Sequence, residues 1–162
     1  MSYFKVWDWD KKLRTMLRFV KLGDIFCFKL DGDRYCFGRI ISKIITGHVA
    51  ELFDYMSAAP EITEKKINKV KRIYSPIVID TYGLFDKKVY KDGDWRVICH
   101  QSNFSPIDVE NVYFTYGLES LCKRVDVFGN EISISKEESL KYHKLSPYGY
   151  FDIKKLLNNI CR

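Results

Sequence analysis

Histidine and cysteine, the residues that most often bind metals or act as nucleophiles, are few and scattered in this chain. The three histidines are His48, His100 and His143. The five cysteines include no CxxC or CxxxxC pair, and the sequence contains no HxH or HExxH motif. A structural zinc site needs paired ligands at such spacings, and a catalytic zinc needs about three converging protein ligands. The sequence therefore predicts no metal site and no cofactor.

The remaining catalytic arrangements are also weak. Cys99 and His100 are neighbours in a predicted strand, so their side chains should point to opposite faces. The acidic pairs Asp31/Asp33 and Asp92/Asp94 flank glycines in predicted turns, where carboxylates usually bind backbone amides. The chain has neither a GxxxxGK[ST] nor a GxGxxG phosphate loop. We expect a protein without enzymatic activity.

Binding residues are better represented, beginning with two tryptophans near the N-terminus. Trp7 and Trp9 alternate with Asp8 and Asp10, which predicts that both indoles share one face of a strand-like segment. The pair could stack on nucleic-acid bases beside Lys11, Lys12 and Arg14. It could equally anchor a protein interface or cover the core. No RNP1-like, GXXG or zinc-finger pattern accompanies it.

Charge is the other binding feature. The chain has 27 basic and 21 acidic residues, a formal charge of +6, and most of the excess lies in its first half. A helix predicted over residues 60–72, with Thr63 as its N-cap, would project a basic cluster. The cluster comprises Lys65, Lys66, Lys69 and Arg72. Such a cluster is typical of a solubilising face, or of a surface that binds a polyanion or an acidic protein.

Three strands are predicted in the β-rich front of the chain, residues 1–60. They cover residues 25–30, 34–41 and 48–55, and Asp31-Gly32-Asp33 forms a turn between the first two. Gly38 interrupts the second strand, which is typical of a bulge or a sharp bend. A bent meander of this kind resembles the beginning of an SH3-like barrel.

The mixed remainder, residues 61–162, adds the mid-chain helix, further strands and helices near the C-terminus. A short buried strand is predicted from Pro76 to Ile79, continuing to Tyr82, with later strands at 95–99, 112–116 and 122–128. Ser135 and Glu138 form a capping box, and Asp152 caps a last helix that turns Ile153 and Leu157 to the core. With no linker between them, both parts form one α+β domain over residues 1–162.

The predicted compartment is the cytoplasm. No window approaches the 18 apolar residues of a membrane span, and the N-terminus has no apolar signal core. Cys27 and Cys36 lie in strands that should pair, at offsets that could bring them together across the hairpin. In a reducing compartment we expect them to be thiols packed as small hydrophobic residues.

A family resemblance rests on two stretches. Residues 20–41 show a Gly-Asp start, an apolar strand ending in Leu30, an Asp/Gly turn, an aromatic strand and a Gly-Arg-aliphatic close. This pattern, with residues 47–55, resembles the front of the immunity protein 26 family. Its members are small cytoplasmic bacterial proteins encoded beside toxin genes of polymorphic or contact-dependent inhibition systems. The resemblance implies a 1:1 complex that neutralises one cognate toxin C-terminal domain. Some relatives carry a phosphotriesterase-type label, but three scattered histidines do not support a metal-dependent hydrolase.

The matched residues are structural in type, so they do not locate the toxin-binding surface. An inhibitor that enters the basic cleft of a nuclease should be acidic at the contact, whereas this chain is basic overall. The acidic pairs, including Asp8/Asp10, could form a local acidic patch. The candidate toxin contacts are Trp7, Trp9, Asp31, Asp33, Asp92, Asp94, Lys65, Lys66, Lys69 and Arg72. The alternative is a module that binds single-stranded nucleic acid through its basic and aromatic residues.

Overall fold

The computed structural model describes residues 2–10, 19–85 and 92–160, and its larger sheet has six strands. They are β1 (Phe4–Val6), β2 (Asp24–Asp31), β3 (Arg34–Ile44), β4 (Gly47–Ser57), β5 (Ile77–Ile79) and β6 (Arg96–Gln101). Their order in the sheet is β1-β6-β2-β3-β4-β5, and every neighbouring pair is antiparallel. The segment that begins the chain therefore forms an edge of the sheet.

A second sheet and short helices complete the α+β, β-rich fold that the sequence predicts. The sheet has the order β10-β7-β8-β9. Its strands are β7 (Tyr113–Tyr116), β8 (Lys123–Asp126), β9 (Glu131–Ser133) and β10 (His143–Lys144). The α-helices are α1 (Glu64–Ile67), α2 (Thr81–Phe85), α3 (Lys136–Ser139) and α4 (Tyr150–Ile160).

The three-stranded meander β2-β3-β4 forms as predicted. Asp31 pairs with Arg34 across the turn, where Gly32 has a φ of +48°. The register of β3 against β4 shifts between Cys36 and Gly38. A Cβ atom at Gly38 would overlap both the Phe26 ring and a backbone oxygen of β4, so only glycine fits this bend.

The larger sheet is buried on both faces. On one face Phe26 and Phe28 pack with Trp95, whose ring stacks on Phe28 with centroids 3.9 Å apart. Helix α4 covers this face with Ile153 and Leu157, in agreement with its predicted apolar stripe. The opposite face carries a second cluster, in which α1 contributes Ile67. A third cluster, containing Val49 of β4 and Phe114 of β7, joins the two sheets.

The register separates the two cysteines of the hairpin. Cys27 lies opposite Phe37, and Cys36 lies opposite Phe28. Because side chains alternate along a strand, the two thiols face opposite sides of the sheet and belong to different clusters. The idea that their offsets bring them together is therefore wrong. Burial raises the pKa of the Cys27 thiol, and that of Cys99 to about 11.

Two predicted elements differ from the structure. The helix predicted over residues 60–72 is a single turn, α1, although Thr63 caps it by accepting a hydrogen bond from the Lys66 amide at 3.2 Å. The following chain instead pairs with β4, where the Ile73 amide donates to the Leu52 carbonyl at 2.9 Å. The strand predicted to reach Tyr82 ends at Ile79, because Asp80 accepts a hydrogen bond from the Gly83 amide and α2 begins.

A candidate protein-binding surface

The sheet register brings the three acidic pairs of the sequence to one end of the larger sheet. The Lys29 amide donates to the Gly93 carbonyl at 2.5 Å, so the turn before β6 lies beside the last residues of β2. The Trp7 amide donates to the Ile98 carbonyl at 2.8 Å, which places residues 8–10 on the other side of that turn. We define this acidic end by Asp8, Asp10, Asp31, Asp33, Asp92 and Asp94.

Arg96 holds two of these pairs together. Its guanidinium donates to the Trp9 carbonyl at 2.6 Å and to both Asp94 carboxylate oxygens at 3.1 and 3.3 Å. It lies 4.3 Å from the centre of the Trp9 ring and 3.8 Å from an Asp10 carboxylate oxygen. Arg96 is 9% exposed at its side chain and Asp10 is 95% exposed. The cation is therefore internal, whereas the Asp10 carboxylate reaches solvent.

Tyr150 links the other acids at this end. Its hydroxyl donates to the Leu30 carbonyl at 2.5 Å, and its pKa is raised by burial and by the negative charges of Asp31 and Asp92. Asp31 binds Arg34 at 2.6 Å, and this hydrogen bond lowers the pKa of the carboxyl. Gly93 has a φ of +77°, and a Cβ atom there would lie 2.6 Å from a Tyr150 ring carbon. The turn that carries Asp92 thus requires a glycine.

A groove with a volume of about 610 Å³ lies at this end of the sheet. It lies between residues 6–10 and residues 60–63. Its buried surface comes from Ile62 and Ile98, and its exposed carboxylates are Asp8, Asp10 and Glu61. Trp7 and Trp9 are both among its lining residues. We call it the acidic groove.

The two indoles do not share a face, so that prediction is wrong. Trp7 packs against the cluster that contains Phe26, whereas Trp9 packs against the opposite cluster and meets Tyr35 edge to face at 5.5 Å. The regular strand ends at Val6, so the alternation on which the prediction rests stops before either tryptophan. Lys11, Lys12 and Arg14 lie outside the described residues.

The predicted basic cluster is divided by the structure. Lys65, Lys66 and Lys69 are exposed in and after α1. Arg72 instead points inward, with a side chain that is 18% exposed. Its guanidinium donates to Glu51 at 3.0 Å and to the carbonyls of Ile107 and Asp108 at 3.0 Å each. The expectation that Arg72 projects from a helix with the lysines is wrong, because residue 72 pairs with Phe53 of β4.

Arg72 belongs to an internal ion cluster that sequence reasoning missed. Glu51 is 5% exposed at its side chain and lies between two guanidinium groups, since Arg39 binds its other oxygen at 2.7 Å. Arg39 also donates to Gln101 at 2.7 Å and stacks 3.9 Å from the Phe104 ring centre. The available signal was the position of Arg39 before Ile40 and Ile41 and of Glu51 between Ala50 and Leu52, within the apolar parts of their strands. We call these residues, Arg39, Glu51 and Arg72, the internal ion cluster.

The histidines are placed separately in the fold. His100 binds the buried Asp24 carboxylate at 2.8 Å, and Asp24 also accepts the Lys21 amide at 3.0 Å. The His48 ring lies 2.8 Å from the Thr81 hydroxyl, and burial lowers the pKa of His48. Within residues 2–10, 19–85 and 92–160, no group of three or more His, Cys, Asp or Glu side chains is arranged to hold a metal ion.

A further surface that the sequence did not indicate lies on the second sheet. Leu118, Leu121 and Leu140 are 76% to 81% exposed. Tyr116, Leu118 and Leu140 line a groove of about 410 Å³ between β7, α3 and β10. We call it the leucine groove. No helix among the described residues is long and apolar enough to span a membrane.

One family model matches the chain. The model of immunity protein 26 covers residues 21–126, which comprise β2 through β8. No curated protein and no solved structure matches the chain. The match includes the internal ion cluster and the acids from Asp31 to Asp94, whereas Trp7, Trp9 and α4 lie outside it.

Proposed function

The chain belongs to the immunity protein 26 family, and from that premise we propose that it neutralises one cognate toxin domain by direct contact at the acidic end and its groove. We place this action in the bacterial cytoplasm, within a polymorphic-toxin or contact-dependent inhibition system. The complex is a 1:1 heterodimer, and the protein needs neither a cofactor nor an activity of its own. Blocking the toxin surface is sufficient.

The observation that carries the proposal is the concentration of negative charge on one end of a basic chain. The acidic end and Glu61 supply seven carboxylates in a protein whose formal charge is +6. Of the cations near these acids, Arg96 is buried, Arg34 is bound to Asp31 and Lys29 is exposed. The hydrogen bond from Arg34 and the charge of Lys154 lower the pKa of Asp31. Such a surface complements a toxin that uses basic residues to bind phosphate groups. Complementary charge accelerates association and excludes the wrong partners.

The tryptophans also favour the acidic end as the toxin-binding surface. Arg96 and Tyr35 hold the Trp9 ring in position, so little conformational freedom remains to be lost on binding. Tryptophan is among the residues that contribute most to protein interfaces when it lies at their centre. Aromatic side chains between carboxylates match a partner surface that presents Lys or Arg, through ion pairs and cation–π contacts.

Co-expression tests the proposal. The protein should rescue growth of cells that produce the C-terminal domain of the neighbouring gene product, and the purified pair should bind with a Kd of order nanomolar. Substituting Asp8 and Asp10 by lysine should abolish rescue and weaken binding at least about a hundredfold, while replacement of Lys65 and Lys66 by serine should leave both intact. If the wild-type pair forms no complex and gives no rescue, the proposal fails.

A second candidate function, binding of single-stranded nucleic acid, is favoured by the exposed Lys65, Lys66 and Lys69. The internal position of Arg72 removes one cation from that group. The carboxylates beside Trp7 and Trp9 would repel a phosphate backbone. We therefore rank this function second, and we expect weak binding that falls as the salt concentration rises, because the release of counterions on binding then gains less free energy.

A further inference from the structure

Strand β1 forms an edge of the larger sheet, and its hydrogen bonds show which of its backbone groups face outward. The Ser102 amide donates to the Tyr3 carbonyl at 2.9 Å, and the Trp7 amide donates to the Ile98 carbonyl at 2.8 Å. In an antiparallel pair, alternate residues turn their N–H and C=O groups toward the partner strand. Val6 lies opposite Cys99 and directly precedes Trp7. Its backbone N–H and C=O groups therefore point away from β6.

This outward edge is accessible. The first outward N–H group, that of Phe4, already donates a hydrogen bond to the Ser2 hydroxyl at 3.2 Å. For Val6, no hydrogen bond joins its N–H or C=O to any other residue that the structure describes. The Val6 side chain is 58% exposed. An edge strand with unpaired backbone groups is a template on which another strand can pair.

The acidic groove continues directly from this edge. Val6 is one of its lining residues, and the segment from Trp7 to Asp10 forms one of its walls. In a strand paired to β1, alternate side chains would point to the side of the sheet on which Ile62 and Ile98 lie. Those side chains would meet apolar surface first and the carboxylates of Asp8, Asp10 and Glu61 at the margin. Lys and Arg side chains fit both the apolar surface and the acidic margin of the groove, because each has a long aliphatic stem that ends in a cation.

We infer that an extended segment of the toxin pairs with the outer edge of β1 as an additional strand and inserts Lys or Arg side chains into the acidic groove. This inference rests on the proposed function and specifies how the partner binds. Because β1 is three residues long, the added segment needs only about three to five residues. Its basic residues occupy alternate positions, about 7 Å apart, so that they enter the groove together.

Charge favours this occupant over a second copy of the chain. If two copies paired antiparallel about Val6, Asp8 and Asp10 of one molecule would lie opposite residues 4 and 2 of the other, where β1 supplies one cation, Lys5. A second copy therefore brings a single cation to each acidic groove, whereas a basic strand from a different protein brings several.

A matched pair of variants at Val6 tests the inference. Val6→Pro removes the outward N–H without removing a bond to β6, and proline is tolerated on an edge strand when its nitrogen faces outward. Val6→Ala keeps the N–H and removes most of the side chain. Against the C-terminal domain of the neighbouring gene product, Val6→Pro should weaken binding at least about tenfold, since it leaves a buried carbonyl unpaired. Val6→Ala should change affinity by less than about threefold.

Amide hydrogen exchange gives a second readout that needs no substitution. On addition of the toxin domain, the Val6 amide should become protected, while the Trp7 amide, already bonded to Ile98, should change little. Unfolding midpoints of both variants establish that each still folds.

The outcomes distinguish a failure of strand addition from a failure of the proposed function. If the wild-type protein binds but Val6→Pro binds equally well and the Val6 amide stays unprotected, strand addition is wrong and the proposed function stands. Equal losses in both variants assign the contact to the side chain and also overturn strand addition. A dimer of the chain alone that Val6→Pro disrupts would show that a second copy occupies the edge. No complex with the wild-type protein would refute the proposed function itself.

Discussion

The acidic end and the internal ion cluster each combine a guanidinium group with carboxylates and an aromatic ring, but they use their charges differently. In the internal ion cluster, two arginines bind one carboxylate that is 5% exposed, so its negative charge is paired inside the protein. At the acidic end, Arg96 is buried and several carboxylates around it reach solvent. The first arrangement fixes the fold, and the second leaves negative charge available to a partner.

The largest expected effect comes from breaking the internal ion cluster. Glu51→Gln leaves Arg39 and Arg72 facing each other without a counterion, and such losses cost about 3–5 kcal/mol of stability. Denaturant unfolding measures the loss, with Glu61→Gln, at an exposed position, as the matched control. A Glu51→Gln protein as stable as the control would contradict the assignment of a structural role to this carboxylate.

The next effect concerns the surface that we propose for toxin binding. Trp9→Ala removes the ring that stacks on Arg96 and lines the acidic groove, and truncating a central interface tryptophan costs about 2–4 kcal/mol of binding free energy. Leu118→Ala, in the leucine groove, should leave toxin affinity unchanged. Calorimetric titration of both variants with the toxin domain checks this prediction. Loss of affinity in Leu118→Ala alone would move the toxin interface to the second sheet.

A smaller effect is expected from pH, and it acts on the fold rather than on the acidic end. Burial lowers the pKa of His48, so between its folded pKa and the usual value near 6.5 the unfolded chain binds a proton that the folded protein does not. Stability therefore rises with pH in this window and falls on acidification below about pH 6.5. Unfolding midpoints between pH 5 and 7 should show this slope, and His48→Gln should flatten it. An unchanged slope would mean that another group titrates.

The smallest effect is expected from the exposed lysines. Replacing Lys65, Lys66 and Lys69 by serine should leave both stability and toxin neutralisation nearly unchanged, because surface charges of this kind contribute little. The affinity of this variant for single-stranded DNA should be lower than that of the wild type. Fluorescence anisotropy over a series of salt concentrations measures the difference. Sub-micromolar DNA affinity at about 150 mM salt that depends on Trp7 would instead favour the nucleic-acid function.

Local sequence signals predicted the meander well. The Asp31-Gly32-Asp33 turn and the flanking apolar runs specify a hairpin through short-range geometry, and Gly38 marks the bend for a steric reason. The caps at Thr63 and Ser135 form as predicted, since a cap depends on residues within one turn.

Long-range pairing was the part that the sequence did not determine. Arg72 has the local pattern of a helical surface residue, but pairing with β4 and the buried Glu51 carboxylate override it. The acidic pairs are separated by tens of residues, and only the register of β1, β6 and β2 brings them to one end. The same register places Cys27 and Cys36 on opposite faces.

The affinity of the Asp8→Lys, Asp10→Lys double variant for the C-terminal domain of the neighbouring gene product is the most direct test of the central claim. Both positions are exposed, so the variant should fold with an unfolding midpoint near that of the wild type. If the acidic end binds the toxin, reversal of these charges should weaken the complex at least about a hundredfold, mainly through slower association and like-charge repulsion. A double variant that binds and neutralises the toxin as the wild type does would contradict the account.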